Sequence, residues 1–145
     1  MARYLVTGAA GFIGSHVTSA LLSLGHEVSG VDSLNDAYDV RLKERRLERL
    51  ASRPAFAFTR ADVRDEAALA PLFEVPPDAV VNLAARAGVR PSVETPGLYF
   101  DANVGGTLAL LELCRRRGVP KLVLASSSSL YGLGNEPPYR EDQPT

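Results

Sequence analysis

The stretch Arg3–Gly14, with the sequence RYLVTGAAGFIG, joins a short apolar run to a turn that contains three glycines. An amphipathic segment follows directly, so the predicted order is strand, glycine-rich turn and helix. In that order Gly8 permits a sharp turn off the strand, Gly11 lets backbone N–H groups approach a pyrophosphate, and Gly14 brings the helix close to the sheet. The helix N-terminus adds unpaired N–H groups and a partial positive charge. This spacing predicts a phosphate-binding turn, and a glycine-rich loop without a ligand is the alternative.

The composition is that of an ordinary globular chain. Its 145 residues are enough for one domain with a hydrophobic core. The net charge of −1 provides no attraction to nucleic acid or to an anionic membrane, so neither partner is expected. No apolar run is long enough to span a membrane, and the N-terminus lacks a signal peptide pattern. With Cys114 as its only cysteine, the chain has no internal disulfide, and a cytoplasmic protein without a metal site is predicted.

Strand and helix signals alternate along the chain, as they do in proteins with a parallel sheet. The hydrophobic runs predict strands over residues 2–7, 27–32, 55–60, 78–83 and 121–125. Periodicity and glycine or proline stop signals predict helices over residues 12–24, 40–51, 65–73 and 97–117, with helical turns in the loop 84–96. Right-handed crossovers then place helices on both faces of the sheet. The predicted fold class is therefore α/β, a doubly wound parallel sheet (Rossmann fold) with five strands.

Apolar faces predict how two of the helices are oriented. The face predicted for the first helix consists of Ile13, Val17, Ala20, Leu21 and Leu24. One apolar row on the last helix consists of Val104, Leu108, Leu111 and Cys114. Leu110 and Leu113 point to another side, so we expect one face against the sheet and a second face against a further element.

Ligands of open parallel sheets bind at the carboxyl ends of the strands, where the strand order reverses. Asp32 ends the second predicted strand at the position where an acid receives the adenosine ribose hydroxyls. A carboxylate there repels a 2′-phosphate, which favours NAD over NADP. A helix cap or turn cap is the alternative role for Asp32.

Three further polar or small stretches follow predicted strands. Asp62 follows the third strand, where it accepts a hydrogen bond from an adenine amino group or caps the next helix. The small residues within Asn82–Ala85 follow the fourth strand and let a cofactor lie against the backbone. Ser126–Ser129 follow the fifth strand, where hydroxyls bond a substrate or simply form a loop.

Together these motifs resemble the N-terminal half of an extended short-chain dehydrogenase/reductase, within the NAD-dependent sugar epimerase/dehydratase family. The resemblance rests on TGAAGFIG (Thr7–Gly14), DSLN (Asp32–Asn35), DV (Asp62–Val63), NLAA (Asn82–Ala85) and SSSSLYG (Ser126–Gly132). Two more stretches, NDAYDV (Asn35–Val40) and ARAGVR (Ala85–Arg90), are similar to UDP-glucuronate 4-epimerases. The choice among epimerase, dehydratase and decarboxylase stays open at this point.

The resemblance implies NAD as cofactor and a nucleotide sugar as substrate. The residues implied to bind the cofactor are Gly8, Gly11, Phe12, Ile13, Gly14, Asp32, Ser33, Asn35, Asp62, Val63, Leu83, Ala84, Ala85, Asn103 and Ser126. Ser127 matches the family's catalytic serine or threonine, which bridges a sugar hydroxyl and a tyrosine. Ser128 and Ser129 are implied to line the sugar pocket, and Arg90 is a candidate substrate contact.

The implied reaction moves hydride from C4 of the sugar to NAD⁺ and back to the other face, while a tyrosinate removes the 4-OH proton. The family's general base lies in Tyr-x-x-x-Lys, and this chain has no such motif. The residues four positions after its tyrosines are Gly8, Leu42, Asn103, Asn135 and Gln143. A free tyrosine has a pKa of about 10, and lowering it to near 7 requires about 4 kcal/mol. We therefore expect the chain to be inactive alone.

Residues 1–145 are accordingly expected to be the N-terminal, NAD-binding fragment of a longer protein, without the C-terminal part that binds the nucleotide sugar. In the family, the second apolar face of the last helix helps to form a homodimer interface. The fifth strand is expected to be an unprotected edge of the sheet. Two alternatives are kept: an NAD-dependent dehydratase or decarboxylase, and an NAD-binding module without catalysis.

Overall fold

The five predicted strands form one parallel sheet in the order β3-β2-β1-β4-β5, in a computed structural model that describes residues 1–132 and 134–145. The strands are β1 (Arg3–Thr7), β2 (Glu27–Asp32), β3 (Phe56–Arg60), β4 (Ala79–Asn82) and β5 (Leu122–Leu124). β1 pairs with β2 on one side and with β4 on the other, so the strand order reverses at β1. The predicted doubly wound α/β fold is confirmed.

Helices cover both faces of this sheet. They are α1 (Phe12–Ser23), α2 (Val40–Ala51), α3 (Glu66–Leu69), α4 (Val89–Glu94), α5 (Pro96–Phe100) and α6 (Gly106–Arg117). A 3₁₀ turn, Ala70–Phe73, extends α3, and a second one, Ser128–Tyr131, follows β5. The single helix predicted over 97–117 is divided, because the π-helical turn Asp101–Gly105 separates α5 from α6. Gly118 ends α6 in the left-handed conformation, with φ of 67°, which glycine commonly adopts at the end of a helix.

Successive side chains of β1 point to opposite faces and enter two separate cores. Leu5 belongs to the core beneath α3 and α6, which includes the fully buried Phe73 and Leu110. Val6 belongs to the core beneath α1 and α2, which includes Leu22 and Leu50. Because both faces of β1 are buried in this way, the end of β1 is held in a fixed position.

The face of α1 that packs on the sheet differs from the predicted one. The buried residues are Gly14, Ser15, Thr18 and Leu22. Ile13 and Leu24, which were expected on the buried face, are 61% and 72% exposed. The reason is the close approach of α1 to the glycine turn, which leaves room only for small residues at its first buried positions.

The two apolar faces expected on α6 exist, but Cys114 belongs to the other one. Cys114 packs in the core with Leu110 and Leu113, whereas Leu108 and Leu111 are exposed. Four helical residues span about 400°, so Cys114 lies only about 40° around the helix from Leu110. With this small offset, the Cys114 thiol lies at the edge of the buried face of α6 and still belongs to the core.

β5 is an outer strand of the sheet, as expected for an edge. It has only three residues, and Val123 and Leu124 are about half exposed, at 49% and 51%. Among the helices that the structure describes, none is both long enough and apolar enough to cross a membrane.

Candidate functional site

The glycine turn between β1 and α1 leaves no room for a side chain at Gly8 and Gly14 and little room at Gly11. Gly8 has φ of 67°, and a Cβ there would lie 2.9 Å from the backbone nitrogen of Ala84. A Cβ on Gly11 would lie 3.0 Å from the Gly8 carbonyl oxygen, and one on Gly14 only 2.0 Å from it. The turn is closed by the Gly11 N–H, which donates to the Gly8 carbonyl over 2.9 Å. The glycine pattern is therefore explained by packing within the turn and against the segment that follows β4.

No side chain caps the N-terminus of α1, and no acidic side chain in its first turn offsets the positive end of the helix dipole. Gly11 is the N-cap residue and has no side chain with which to bond the first-turn N–H groups. The first turn contains no acidic residue. The partial positive charge of the helix end therefore stays available to an anion beside Gly8 and Gly11.

A buried polar network joins the turn to β4. The Thr7 hydroxyl donates to Asn82 Oδ1 over 2.5 Å and accepts the backbone N–H groups of Leu83 and Ala84, each over 3.2 Å. Asn82 Nδ2 donates to Thr107 Oγ1 of α6 over 3.2 Å. These bonds satisfy buried polar groups at the reversal of strand order and hold the ends of β1 and β4 together.

The loop after β4 is held by hydrogen bonds from α5 and from the π-helical turn that follows it. The backbone N–H of Arg86 donates to Asn103 Oδ1 over 2.8 Å, and Asn103 Nδ2 donates back to the Arg86 carbonyl over 3.0 Å. Tyr99 Oη donates to the Ala87 carbonyl over 3.0 Å. Asn103, predicted as a cofactor contact, therefore has both of its polar atoms engaged in positioning this loop.

Asp32 ends β2 and is buried together with Lys43 of α2. Lys43 Nζ lies 3.4 Å from Asp32 Oδ1 and donates to Asn35 Oδ1 over 3.1 Å. The carboxylate also accepts the N–H of Leu34 over 2.8 Å and that of Ala10 over 3.2 Å. The Asp32 carboxylate thus uses three of its about four acceptor positions. Of the three hydrogens on the Lys43 ammonium group, one has no partner among the described residues.

Asp62 lies at the end of β3 in an exposed pair with Arg64. Arg64 donates to both carboxylate oxygens, over 2.9 Å and 2.8 Å, and its backbone N–H donates over 2.9 Å. The hydrogen bonds from the Arg64 side chain hold the pKa of Asp62 below its ordinary value. The alternative role of Asp62 as a helix cap is wrong, because the Asp65 side chain caps α3 by accepting the Ala68 N–H.

A cleft of about 360 Å³ opens at the carboxyl ends of the strands. The predicted cofactor residues that line it are Gly8, Gly11, Asp32, Ser33, Asn35, Asp62, Val63, Leu83, Ala84 and Ala85. The predicted cofactor residues that do not line it are Phe12, Ile13, Gly14, Asn103 and Ser126. Residues from the ends of β2, β3 and β4 and from the glycine turn after β1 are therefore brought to one site.

The residues expected to contact substrate lie outside this cleft. Ser127 caps the 3₁₀ turn: its Oγ accepts the N–H of Ser129 over 3.2 Å and lies 3.1 Å from Ser129 Oγ. Ser126 and Ser128 are exposed, and Arg90 is exposed on α4. The roles predicted for these residues stay predictions.

Eight residues that line the cleft were not predicted as site residues, namely Ala37, Tyr38, Lys43, Ala61, Arg64, Arg86, Ala87 and Ala102. Lys43 and Tyr38 line the cleft, and Arg46 contacts both Tyr38 and the glycine turn. Lys43 carried a usable signal, because it lies on the same helical side as Val40 and Leu47, and a lysine on an apolar side indicates a buried partner. Tyr38 lies in the stretch Asn35–Val40 that carried the resemblance. Its pairing with Arg46 had no signal in the sequence, because that pairing depends on the path of the loop before α2.

The site fits a dinucleotide on the observations of this chain alone. Gly8 and Gly14 accept no Cβ, and the turn stands at a helix N-terminus without an acidic residue in its first turn, which suits phosphate. Asp32 and Lys43 both line this cleft, and within residues 1–132 and 134–145 each has one hydrogen-bonding position without a partner, which suits ribose hydroxyls. Fold and cleft thus define a Rossmann domain with its ligand site at the reversal of strand order.

Comparison with known protein families leads to the same class. The model of the NAD dependent epimerase/dehydratase family matches residues 4–145. The chain belongs to the NAD-dependent epimerase/dehydratase family.

Individual relatives are longer than this chain. It is 54% identical over 143 residues to a UDP-glucuronate 4-epimerase of Thermodesulfobacterium geofontis (strain OPF15), an alignment covering 98% of this chain and 44% of that protein. It is 46% identical to UDP-glucuronate 4-epimerase 2 of Arabidopsis thaliana, covering 97% of this chain and 33% of that protein. The chain therefore spans less than half the length of these relatives.

Solved structures share the fold. One is the UDP-glucuronic acid 4-epimerase of Bacillus cereus, in complex with UDP-4-deoxy-4-fluoro-glucuronic acid and NAD. It superposes on this chain with a TM-score of 0.85 and is 36% identical in sequence. The superposition covers 97% of this chain and 45% of that chain. The UDP-glucose 4-epimerase of Stenotrophomonas maltophila, with bound NAD and formylated UDP-arabinopyranose, gives 0.86 at 40% identity, over 100% of this chain and 43% of that chain.

Proposed function

We propose that this chain is the NAD-binding part of a nucleotide-sugar 4-epimerase that acts on UDP-glucuronate. The observation that carries the proposal is the cleft at the reversal of strand order, where the glycine turn and the Asp32–Lys43 pair meet. The similarity to UDP-glucuronate 4-epimerases over nearly the whole chain supports the choice of sugar.

Each part of the cleft has a separate binding task in this proposal. The N–H groups at the start of α1 bind the phosphates, and Gly8 and Gly11 keep that surface open. Asp32 and Lys43 bind the ribose hydroxyls through one acceptor and one donor. Asp62 accepts from the adenine amino group, and the small side chains of Ala84 and Ala85 let the ligand lie against the backbone.

NAD, when bound, supplies the hydride acceptor and donor for carbon 4 of the sugar. On the protein side, the Ser127 hydroxyl bridges the 4-OH of the sugar and a tyrosinate that removes its proton. The tyrosinate requires a neighbouring cation to lower its pKa, and Tyr-x-x-x-Lys is missing from this sequence. The 145-residue chain therefore binds cofactor but does not epimerise a sugar.

Further features belong to the complete protein. Ser128, Ser129 and Arg90 contribute to the nucleotide-sugar site together with a C-terminal part. The exposed apolar row that contains Leu108 and Leu111 supports a homodimer of the complete protein. The single, buried Cys114 is compatible with the proposed cytoplasmic location.

Calorimetric titration with NAD⁺ and NADP⁺ tests the cofactor assignment. We expect NAD⁺ to bind at least about ten-fold more tightly, a difference of about 1.4 kcal/mol. Asp32→Asn should narrow this ratio, because the amide no longer repels a 2′-phosphate. Asp36→Asn, a change at an exposed carboxylate on the same loop, serves as control and should leave the ratio unchanged. Tighter binding of NADP⁺ by the unchanged chain would refute the ribose assignment.

Incubation with UDP-glucuronate and NAD⁺ tests the catalytic part. We expect no UDP-galacturonate to form on the chain alone. Turnover without any added protein would show that another group of this chain acts as the base. Failure to bind either dinucleotide would contradict the proposed function as a whole, including the alternative of a binding module without catalysis.

A further inference from the structure

Arg46 of α2 contacts two parts of the site that are distant in sequence. Its Nη1 donates to the Tyr38 hydroxyl over 2.9 Å and to the Ala10 carbonyl over 3.3 Å. Its Cζ lies 5.8 Å from the centroid of the Tyr38 ring and 5.9 Å from that of Phe12. One guanidinium nitrogen thus joins the loop after β2 to the glycine turn.

The position of Arg46 is not explained by the stability of α1. Phe12 is the first residue of α1, and a cation beside a helix N-terminus opposes the helix dipole. Within residues 1–132 and 134–145, no carboxylate lies within 4.0 Å of the Arg46 guanidinium to offset its charge. Helix end and guanidinium therefore add to one positive potential, which an anionic ligand of the turn would relieve.

Ala10 is held by groups on both sides of the turn. Its N–H donates to Asp32 Oδ2 over 3.2 Å, while its carbonyl accepts from Arg46. Both polar atoms of this residue are thereby used, so the direction of the chain entering Gly11 is set by Asp32 and Arg46 together.

Tyr38 connects Arg46 to the wall of the cleft. Tyr38 lines the cleft beside Ser33 and Asn35, whereas Arg46 itself does not line it. The Tyr38 ring also faces the ammonium group of Lys43, 5.1 Å from the ring centroid. Two cations therefore fix a ring that forms the wall of the cleft next to Asp32.

We propose that Arg46 is a positioning residue that couples the Tyr38 wall of the cleft to the glycine turn. The Tyr38 wall and the glycine turn then act as one unit, and a ligand that contacts both gains more from Arg46 than a ligand that contacts only one. This inference rests on the proposed function for the identity of the ligand, NAD⁺. The coupling itself is a property of the protein without ligand.

The ligand-free test uses amide NMR spectra of the ¹⁵N-labelled 145-residue chain. Tyr38→Phe removes the hydroxyl that Arg46 holds, and we expect the Gly11 and Phe12 amide resonances to shift. In the Arg46→Gln background the same change should leave those resonances where they are. Equal shifts in both backgrounds would overturn the coupling whether or not the chain binds NAD⁺.

The binding test compares NAD⁺ with nicotinamide mononucleotide, which lacks the adenosine half. Arg46→Gln is expected to weaken NAD⁺ binding about ten-fold, the value of a charge-assisted hydrogen bond. Mononucleotide binding should change less than about two-fold, which is within 0.5 kcal/mol. A purely structural role would weaken both ligands equally and would contradict the proposal.

Two matched variants complete the design. Arg49→Gln changes an exposed arginine on the same helix and should leave both affinities unchanged. Tyr38→Phe, which replaces a side chain that is 40% exposed, keeps the test decisive if Arg46→Gln fails to fold. It is expected to lower NAD⁺ affinity several-fold, and unchanged affinity would count against the proposal. Absence of NAD⁺ binding by the unchanged chain would instead contradict the proposed function.

Discussion

Lys43 Nζ lies 3.4 Å from Asp32 Oδ1, and both side chains are only 6% exposed. The pair connects α2 to the end of β2, at the position where the fold places its ligand site. Because Lys43 offsets the carboxylate charge, cofactor preference at this site depends on the remaining acceptor position of Asp32 as well as on charge repulsion.

Lys43→Met should lower the free energy of unfolding by about 3 kcal/mol, because it leaves a buried carboxylate without its cation. Urea unfolding followed by circular dichroism measures this value. The double variant Asp32→Asn with Lys43→Met should recover part of the loss, because the buried charge is then removed as well. A double variant as unstable as Lys43→Met alone would contradict a paired carboxylate.

Gly14→Ala should destabilise the chain by about 3 kcal/mol or more, or prevent folding, because α1 must move away from the glycine turn. The added Cβ would lie 2.0 Å from the Gly8 carbonyl oxygen. Gly105→Ala is the matched control, since no atom lies within 4 Å of its Cβ position and its φ of −59° is helical. That change should stabilise by about 0.5 kcal/mol. Thermal unfolding compares the two, and similar effects would refute the packing explanation of Gly14.

Arg64→Gln should raise the pKa of Asp62 toward its ordinary value of 3.8, because the pKa is lowered chiefly by the Arg64 side chain. A lowered folded pKa means that the stabilisation is complete above the unfolded value and is lost as the pH falls through the folded one. The pair therefore contributes nothing to stability in strong acid. Carboxyl NMR titration gives the pKa directly. Arg86→Gln, which removes a weaker charge effect, should shift it less, and the reverse order would be inconsistent with the pairing.

The Cys114 thiol should react slowly with an aromatic disulfide reagent at neutral pH until the chain unfolds. Burial raises the pKa of this thiol, and the residue is only 6% exposed. The thiolate is therefore both scarce and shielded in the folded chain. Leu108→Cys in a Cys114→Ala background places a thiol on the exposed side of the same helix and should react rapidly. Equal rates for the two proteins would show that Cys114 is accessible.

The positions of Asp32 and Asp62 at the cleft could be predicted from the sequence, because they depend only on where strands end. In a parallel sheet those ends lie along one edge, whatever the detailed packing of the helices. The requirement for glycine at Gly8 followed in the same way from the turn between β1 and α1.

Contacts that depend on helix rotation could not be predicted in this way. Whether Lys43 reaches Asp32, or Asn103 reaches Arg86, depends on a rotation that periodicity alone leaves uncertain by tens of degrees. The buried face of α1 is an example. The periodicity of large apolar residues predicted that Ile13 would be buried, whereas in the structure the neighbouring Gly14 is buried and Ile13 is exposed. The π-helical turn before α6 adds a further rotation that has no signal in the apolar pattern.

The hydrogen bonds of Thr7 have a consequence for the time at which the site forms. Its partners Asn82, Leu83 and Ala84 lie 75, 76 and 77 positions further along the chain. As the ribosome synthesises the protein from its N-terminus, the glycine turn emerges first, but its supporting wall is delivered only with β4. The glycine turn, although it is the first motif of the sequence, therefore reaches its final structure late. The entropy cost of closing this long loop comes before the stabilising contacts between β1 and β4 can form. A nascent chain that is stalled before β4 would carry every glycine of the turn and still lack the surface on which Gly8 packs.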